Sequence, residues 1–169
     1  DDEIEVRLPL PKETSLIPED IPLNIIYEDD DVIVLNKPYG MVVHPAAGNL
    51  KSTLVNALLN HTNQLSNINP QRPGIVHRLD KETSGVMVVA KNNFTHLGLV
   101  KQFKKHTIKR RYIALVRGKV EFKEGEIDLP ISRHPVFRKK MSVSYQPQTK
   151  NAVTYYRTIK RFDEFSLLE

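Results

Sequence analysis

The sequence predicts an α+β domain: a mixed, largely antiparallel β-sheet with flanking helices. Short apolar, β-branched runs bounded by Asp, Gly or Pro recur along the 169 residues. Only two stretches, near 52–61 and 94–105, carry helical spacing. Two helices are too few for the strand–helix alternation of a doubly wound parallel sheet.

The elements follow in order. Residues 1–22 hold four of the eleven prolines, Pro9, Pro11, Pro18 and Pro22. Fixed φ and missing N–H groups make this an extended connector. "NIIYE" (24–28) and "VIVLNK" (32–37) flank Asp29-Asp30-Asp31 and read as a hairpin. Pro38 and Gly40 then break the strand. In "STLVNALLNH" (52–61), Leu54, Val55, Leu58 and Leu59 make one helical face, with Ser52 as its cap. Residues 62–73, rich in Asn, Gln, Ser and Pro, read as a loop. A second helix is expected over Phe94–Lys105, where Phe94, Leu97 and Val100 recur every third residue. "RYIALVRG", "EIDLPI", "MSVSY", "AVTYYRTIKRF" and the start of a run in "FSLLE" are strand candidates. Residues 23–169 thus read as one domain.

Composition narrows function. With 40% hydrophobic and 27% charged residues the chain can build a core, which argues against wholesale disorder. A formal net charge of +5 favours an anionic partner, nucleic acid first and an anionic membrane surface second. An ordinary basic soluble protein is the plain alternative. There is no cysteine, so disulfide and thiolate chemistry are excluded and a reducing cytoplasm is the simplest home. No apolar run approaches the roughly 18 residues a membrane-spanning helix needs.

The densest polar stretch is "GIVHRLDKETSGVMVVAK" (74–91), which sets His77, Arg78, Asp80, Lys81, Glu82 and Thr83 between two apolar runs that read as buried strands. If Val76–Asp80 is extended, period two puts Arg78 and Asp80 on one face and Leu79 into the core. A cation that close favours the ionised carboxylate, which can act as nucleophile or base. Ser84-Gly85 is the expected turn before the apolar run returns to the sheet. The alternative is a surface turn with an ion pair of little consequence. A kinase catalytic loop is excluded, because Leu79 separates Arg78 from Asp80 and no Gly-rich loop precedes it. His44, His61, His77, His96, His106 and His134 show no metal-ligand spacing. Gly-x-Ser-x-Gly is absent.

"RPGIVHRLDKETSGVMVVAK" resembles the signature motif of the RluA-type pseudouridine synthases, His-Arg-Leu-Asp followed by Thr-Ser-Gly. "IIYEDDDVIVLNKPYGMVVHPA" is similar to that family's Asn-Lys-Pro-x-Gly…His-Pro segment, and "STLVNALL" follows in the same order. "KRRYIALVRGKV" resembles its second motif, with the tyrosine at Tyr112; "GEIDLPISRHP" and "KNAVTYY" also fit. The likeness covers about residues 22–169. It also suggests that residues 1–22 include a remnant of an upstream S4-type RNA-binding domain, and that a third motif, Thr-Gly-Arg-x-His-Gln-(Ile/Leu)-Arg, follows "FSLLE".

The resemblance implies the pseudouridine synthase fold and conversion of uridine to pseudouridine in structured RNA, with no cofactor and no metal. The favoured substrate is large-subunit ribosomal RNA. Transfer RNA is the alternative within the class, and a non-catalytic RNA-binding module is the alternative outside it. The family's catalytic aspartate falls on Asp80. Arg78 is implied to fill the gap left by a flipped base or to pair with phosphate, Tyr112 to pack on the uracil, and Lys37 and Lys109 to serve the substrate side of the site. Without the family, Tyr112 reads as a core tyrosine and Lys37 as a surface lysine. "KQFKKHTIKRRY" (101–112) holds six Lys or Arg and suits either a phosphate-tracking surface or a solvated helix end. "RHPVFRKKM" (133–141) reads as a second basic loop. Cytoplasm and a monomer complete these expectations.

Overall fold

The structure is a computed structural model that describes residues 16–46, 48–138, 140–146 and 149–169. Most of the proline-rich connector, and with it the expected S4-type remnant, lies outside the described residues. Among the described residues eleven elements follow the expected order. They fall into two compact units, divided after Ile108. No helix among the described residues is long and apolar enough to cross a membrane.

In the first unit, β1 (Asn24–Glu28), β2 (Val32–Lys37) and β3 (Gly85–Ala90) form an antiparallel sheet in the order β1-β2-β3. The expected hairpin is present. Asp29 makes its turn, its carboxylate accepting from the Asp31 and Val32 N–H groups at 2.8 and 2.7 Å. Period two along β2 sends Ile33, Leu35 and Lys37 to the buried side, where Ile33 and Leu35 register with Val89 and Met87 of β3. These join Val43, Leu54, Val55, Leu58, Ile75 and Leu79 in one core. Each such side chain, fully buried, contributes about 1.5–3 kcal/mol.

Helix α1 (Leu54–His61) starts one residue later than the sequence suggests. Thr53, not Ser52, is its cap, and Asn56 completes a reciprocal capping box. Ser52 stands instead at φ 55°, its N–H and hydroxyl both bonded to the Glu19 carboxylate. Helix α2 (Asn93–Lys104) is capped by Asn92. Its third-residue repeat does not face a core: Phe94 and Leu97 are exposed, and the side chain it buries is His96.

The second unit carries β4 (Ala114–Arg117), β5 (Glu124–Asp128), β6 (Ile131–Arg133), β7 (Met141–Val143), β8 (Val153–Arg161) and β9 (Phe165–Leu168). Four form an antiparallel sheet in the order β4-β9-β8-β5, and β6 and β7 make a separate hairpin. The α+β class holds. Pro130 splits "EIDLPI" between β5 and β6. Every paired strand among the described residues is antiparallel.

Candidate active site

The acid-bearing stretch is a strap rather than a strand. Its pairing ends at one bridge, Ile75 to Val89, and residues 76–80 leave the edge of β3. Gly74 makes the approach possible. Its φ of +72° suits glycine, and a Cβ there would stand 2.7 Å from a Val89 methyl and 2.9 Å from the Ala90 carbonyl. Beyond it the chain still alternates. Leu79 is buried in the core, while Arg78 and Asp80 are exposed on the other side. Arg78 Nη2 lies 3.9 Å from Asp80 Oδ1, with the two side chains 62% and 87% exposed. At that exposure the pair does little to hold the fold. The turn that follows is not at Ser84-Gly85. It spans Asp80–Thr83, closed by the Thr83 N–H on the Asp80 carbonyl at 3.1 Å, and β3 begins at Gly85.

Both flanks of Asp80 are tethered. Downstream, the Lys81 carbonyl accepts from the Gly40 N–H at 2.9 Å and from Lys37 Nζ at 3.3 Å. Gly40 makes its turn at φ +81°, so the Pro38–Gly40 break has a positional purpose. Lys37 is fully buried, and its ammonium also donates to the carbonyls of Pro38 at 3.0 Å and Met41 at 2.9 Å. Burial pushes this ammonium below the usual lysine range, and the Asp80 carboxylate acts in the opposite sense. Upstream, the Val88 N–H donates to His77 Nε2 at 3.1 Å, and the His77 ring stacks on Phe103 with centroids 4.6 Å apart. His44 belongs to the same neighbourhood: burial, then the guanidiniums of Arg72 and Arg78, keep it below the usual imidazole range.

The structure thus brings Lys37, Arg78 and Asp80 into one cluster, with Lys37 inside and the other two outside. Phase along β2 is the signal for Lys37, since "VIVLNK" puts it on the side of Ile33 and Leu35. The contacts of His77, Gly40 and His44 had no such signal. Each depends on segments 11 to 41 residues apart meeting in space.

Tyr112 and Lys109 belong to the second unit. Lys109 is exposed ahead of β4. Tyr112, 53% exposed, lines a cavity of about 900 Å³ with Arg110, Arg111, Tyr155 and Glu169 among its walls. Glu169 pairs with Arg111 at 3.3 Å and with Arg157. The β6–β7 hairpin presents Phe137, with Lys140 Nζ 5.5 Å from its ring. Residues 129–162 contain eight Lys or Arg and no Asp or Glu, which concentrates positive charge in this unit. No group of residues suited to hold a metal occurs among the described residues.

The family model for RNA pseudouridylate synthase matches residues 31–169. An uncharacterized RNA pseudouridine synthase of Aquifex aeolicus is 50% identical over 163 residues, spanning 96% of this chain and 51% of the relative. The ribosomal large subunit pseudouridine synthase D of Zymomonas mobilis is 51% identical over 166 residues, spanning 97% and 52%. The chain therefore spans about half the length of the curated relatives it matches. In fold it is similar to human RNA Pseudouridylate Synthase Domain Containing 1, with a TM-score of 0.70 and 22% identity over 87% of this chain and 58% of that one.

Proposed function

The chain belongs to the RNA pseudouridylate synthase family, and from that premise we propose that it isomerises uridine to pseudouridine in structured RNA, with Asp80 as the catalytic group. The observation that carries this reading is an exposed carboxylate on a strap tethered on both flanks, at Val88 and at Lys81. Catalysis needs a reacting group held in place before the substrate arrives. The tethers supply that, while exposure leaves the carboxylate open to an incoming nucleotide.

The reaction breaks the C1′–N1 bond, turns the uracil and joins C5 to C1′. C5 loses its proton and N1 gains one, so the composition is unchanged and no oxidant or cofactor is required. A target inside folded RNA must first leave its stack. Arg78, exposed two residues before Asp80, suits the vacated space or a flanking phosphate through its planar guanidinium. Tyr112 is assigned to stack on a base, which its exposed ring allows. Lys37 is assigned to shape the site from within, and Lys109 to bind phosphate. The favoured substrate is large-subunit ribosomal RNA, the RNA named for the relative from Zymomonas mobilis. The proposed setting is the cytoplasm.

The test uses full-length protein and transcripts tritiated at uracil C5, one of large-subunit ribosomal RNA and one of transfer RNA. Asp80→Asn should abolish tritium release from the ribosomal transcript. Release at the wild-type rate by that variant overturns the assignment of Asp80. Release from the transfer RNA alone overturns the choice of substrate.

A further inference from the structure

We propose that His77 is a positioning residue: the bond its Nε2 accepts from the Val88 N–H sets the strap that carries Arg78 and Asp80, and only the neutral imidazole does so. This rests on the reading of Asp80 as the catalytic group.

β3 is an edge strand, paired on one side by β2. Gly74, Ile75 and His77 cover its other side. The Ala90 N–H donates to the Gly74 carbonyl at 2.9 Å, Ile75 bridges Val89, and the Val88 N–H donates to His77 Nε2. The imidazole therefore continues the ladder past the point where backbone pairing stops. It is the last hold on β3 before the strap turns out toward Asp80, three residues on. Phe103 of α2 fixes the ring from the side, at 4.6 Å and 25° between planes. Leu79, anchored in the core, and His77, held on β3, together fix the strap just ahead of Asp80.

A backbone N–H as donor requires a lone pair on Nε2, so the ring proton sits on Nδ1. Protonating Nε2 places two donors nose to nose and breaks the hold. β3 carries no titratable group. α2 carries Lys101 and Lys104, with Lys105 and His106 just beyond. The strap carries Arg78, Asp80, Lys81 and Glu82, and its neighbourhood adds Arg72, His44 and Lys37.

Two variants of the full-length protein separate the acceptor from the ring stack. His77→Gln keeps an acceptor oxygen at similar reach, and His77→Phe keeps the stack without an acceptor. Single-turnover tritium release from the large-subunit ribosomal transcript, from pH 5.5 to 8.5, is read with RNA affinity and Val88 amide exchange. His77→Gln should stay within about 3-fold of wild type at pH 8. It should lack the acid limb that wild type shows. His77→Phe should lose at least about 10-fold in kcat, with RNA affinity within about 3-fold, since misplacement by about 1 Å costs about 100-fold. Its Val88 amide should exchange at least about 10-fold faster than in wild type or His77→Gln. Wild-type kcat in His77→Phe, or an unchanged acid limb in His77→Gln, overturns the proposal. If His77→Phe does not fold, the acid limb of His77→Gln decides alone. A wild-type protein that releases no tritium defeats the catalytic reading instead, and Val88 exchange then still accepts or rejects the role of His77.

Discussion

Lys37→Met removes one charge from the interior and leaves the shape almost unchanged. Three carbonyls lose a donor: Pro38, Met41 and Lys81. The Lys81 carbonyl keeps the Gly40 N–H, so two acceptors are orphaned. An unsatisfied buried acceptor costs about 1–3 kcal/mol. These bonds are partly buried, so the low end applies, about 1–1.5 kcal/mol each. The expected loss is about 2–3 kcal/mol, or a melting temperature lower by about 4–12 °C in a protein of this size class. The functional loss should be larger than the stability loss implies. Lys37 ties Lys81, the neighbour of Asp80, to the 38–41 loop, and freeing that tie lets the acid wander. At a temperature where the variant remains folded, kcat in the tritium-release assay should drop more than about 10-fold, with RNA affinity within about 3-fold. Thermal unfolding and single-turnover release, run on one preparation, check both numbers. A variant with wild-type melting temperature and wild-type kcat would refute the reasoning, because the three bonds would then hold nothing in place.

Tyr112→Ala should slow turnover more than it weakens RNA binding and leave the melting temperature nearly unchanged, because the ring is half exposed; a large thermal loss measured by calorimetry would return Tyr112 to the core reading. His96 is buried with no hydrogen-bond partner on Nδ1, and burial pushes its imidazole below the usual range. The unfolded chain therefore takes up a proton that the folded chain resists, so stability falls as pH drops through about 6.5 and below. His96→Leu should flatten that acid slope in urea titrations at pH 5 to 8; an unchanged slope would assign it to other groups. Replacing Arg138 and Lys140 by Gln should weaken RNA binding and lower the slope of log affinity against log salt by about 1.5, at roughly 0.7–0.9 per cation; a constant slope would remove the β6–β7 hairpin from the RNA surface.

The strap shows how legibility divides. Alternation put Leu79 inward and kept Arg78 beside Asp80, and both hold although no strand forms there. The expected turn at Ser84-Gly85 was misplaced, because the ladder of β3 against β2 extends to Gly85 opposite Lys37 and claims the chain earlier. Ser52 and Thr53 are equally good caps by residue type; Glu19, 33 residues away, takes Ser52 and leaves the cap to Thr53. Phe94, Leu97 and Val100 mark α2 as a helix by spacing, yet spacing carries no knowledge of what lies opposite, and the face proved exposed.

The sequence by itself determined the α+β class, the order of the elements, the hairpin of β1 and β2, and the motif around Asp80. These depend on patterns with periods of two or about 3.6 residues and on short ordered strings, all of them local. Only the tertiary structure decided that the buried Lys37 meets the Lys81 carbonyl, that His77 caps the edge of β3, and which strands pair with which. Those outcomes rest on hydrogen bonds and packing between segments far apart in the chain, and a partner chosen by closure in space leaves no local imprint on either residue.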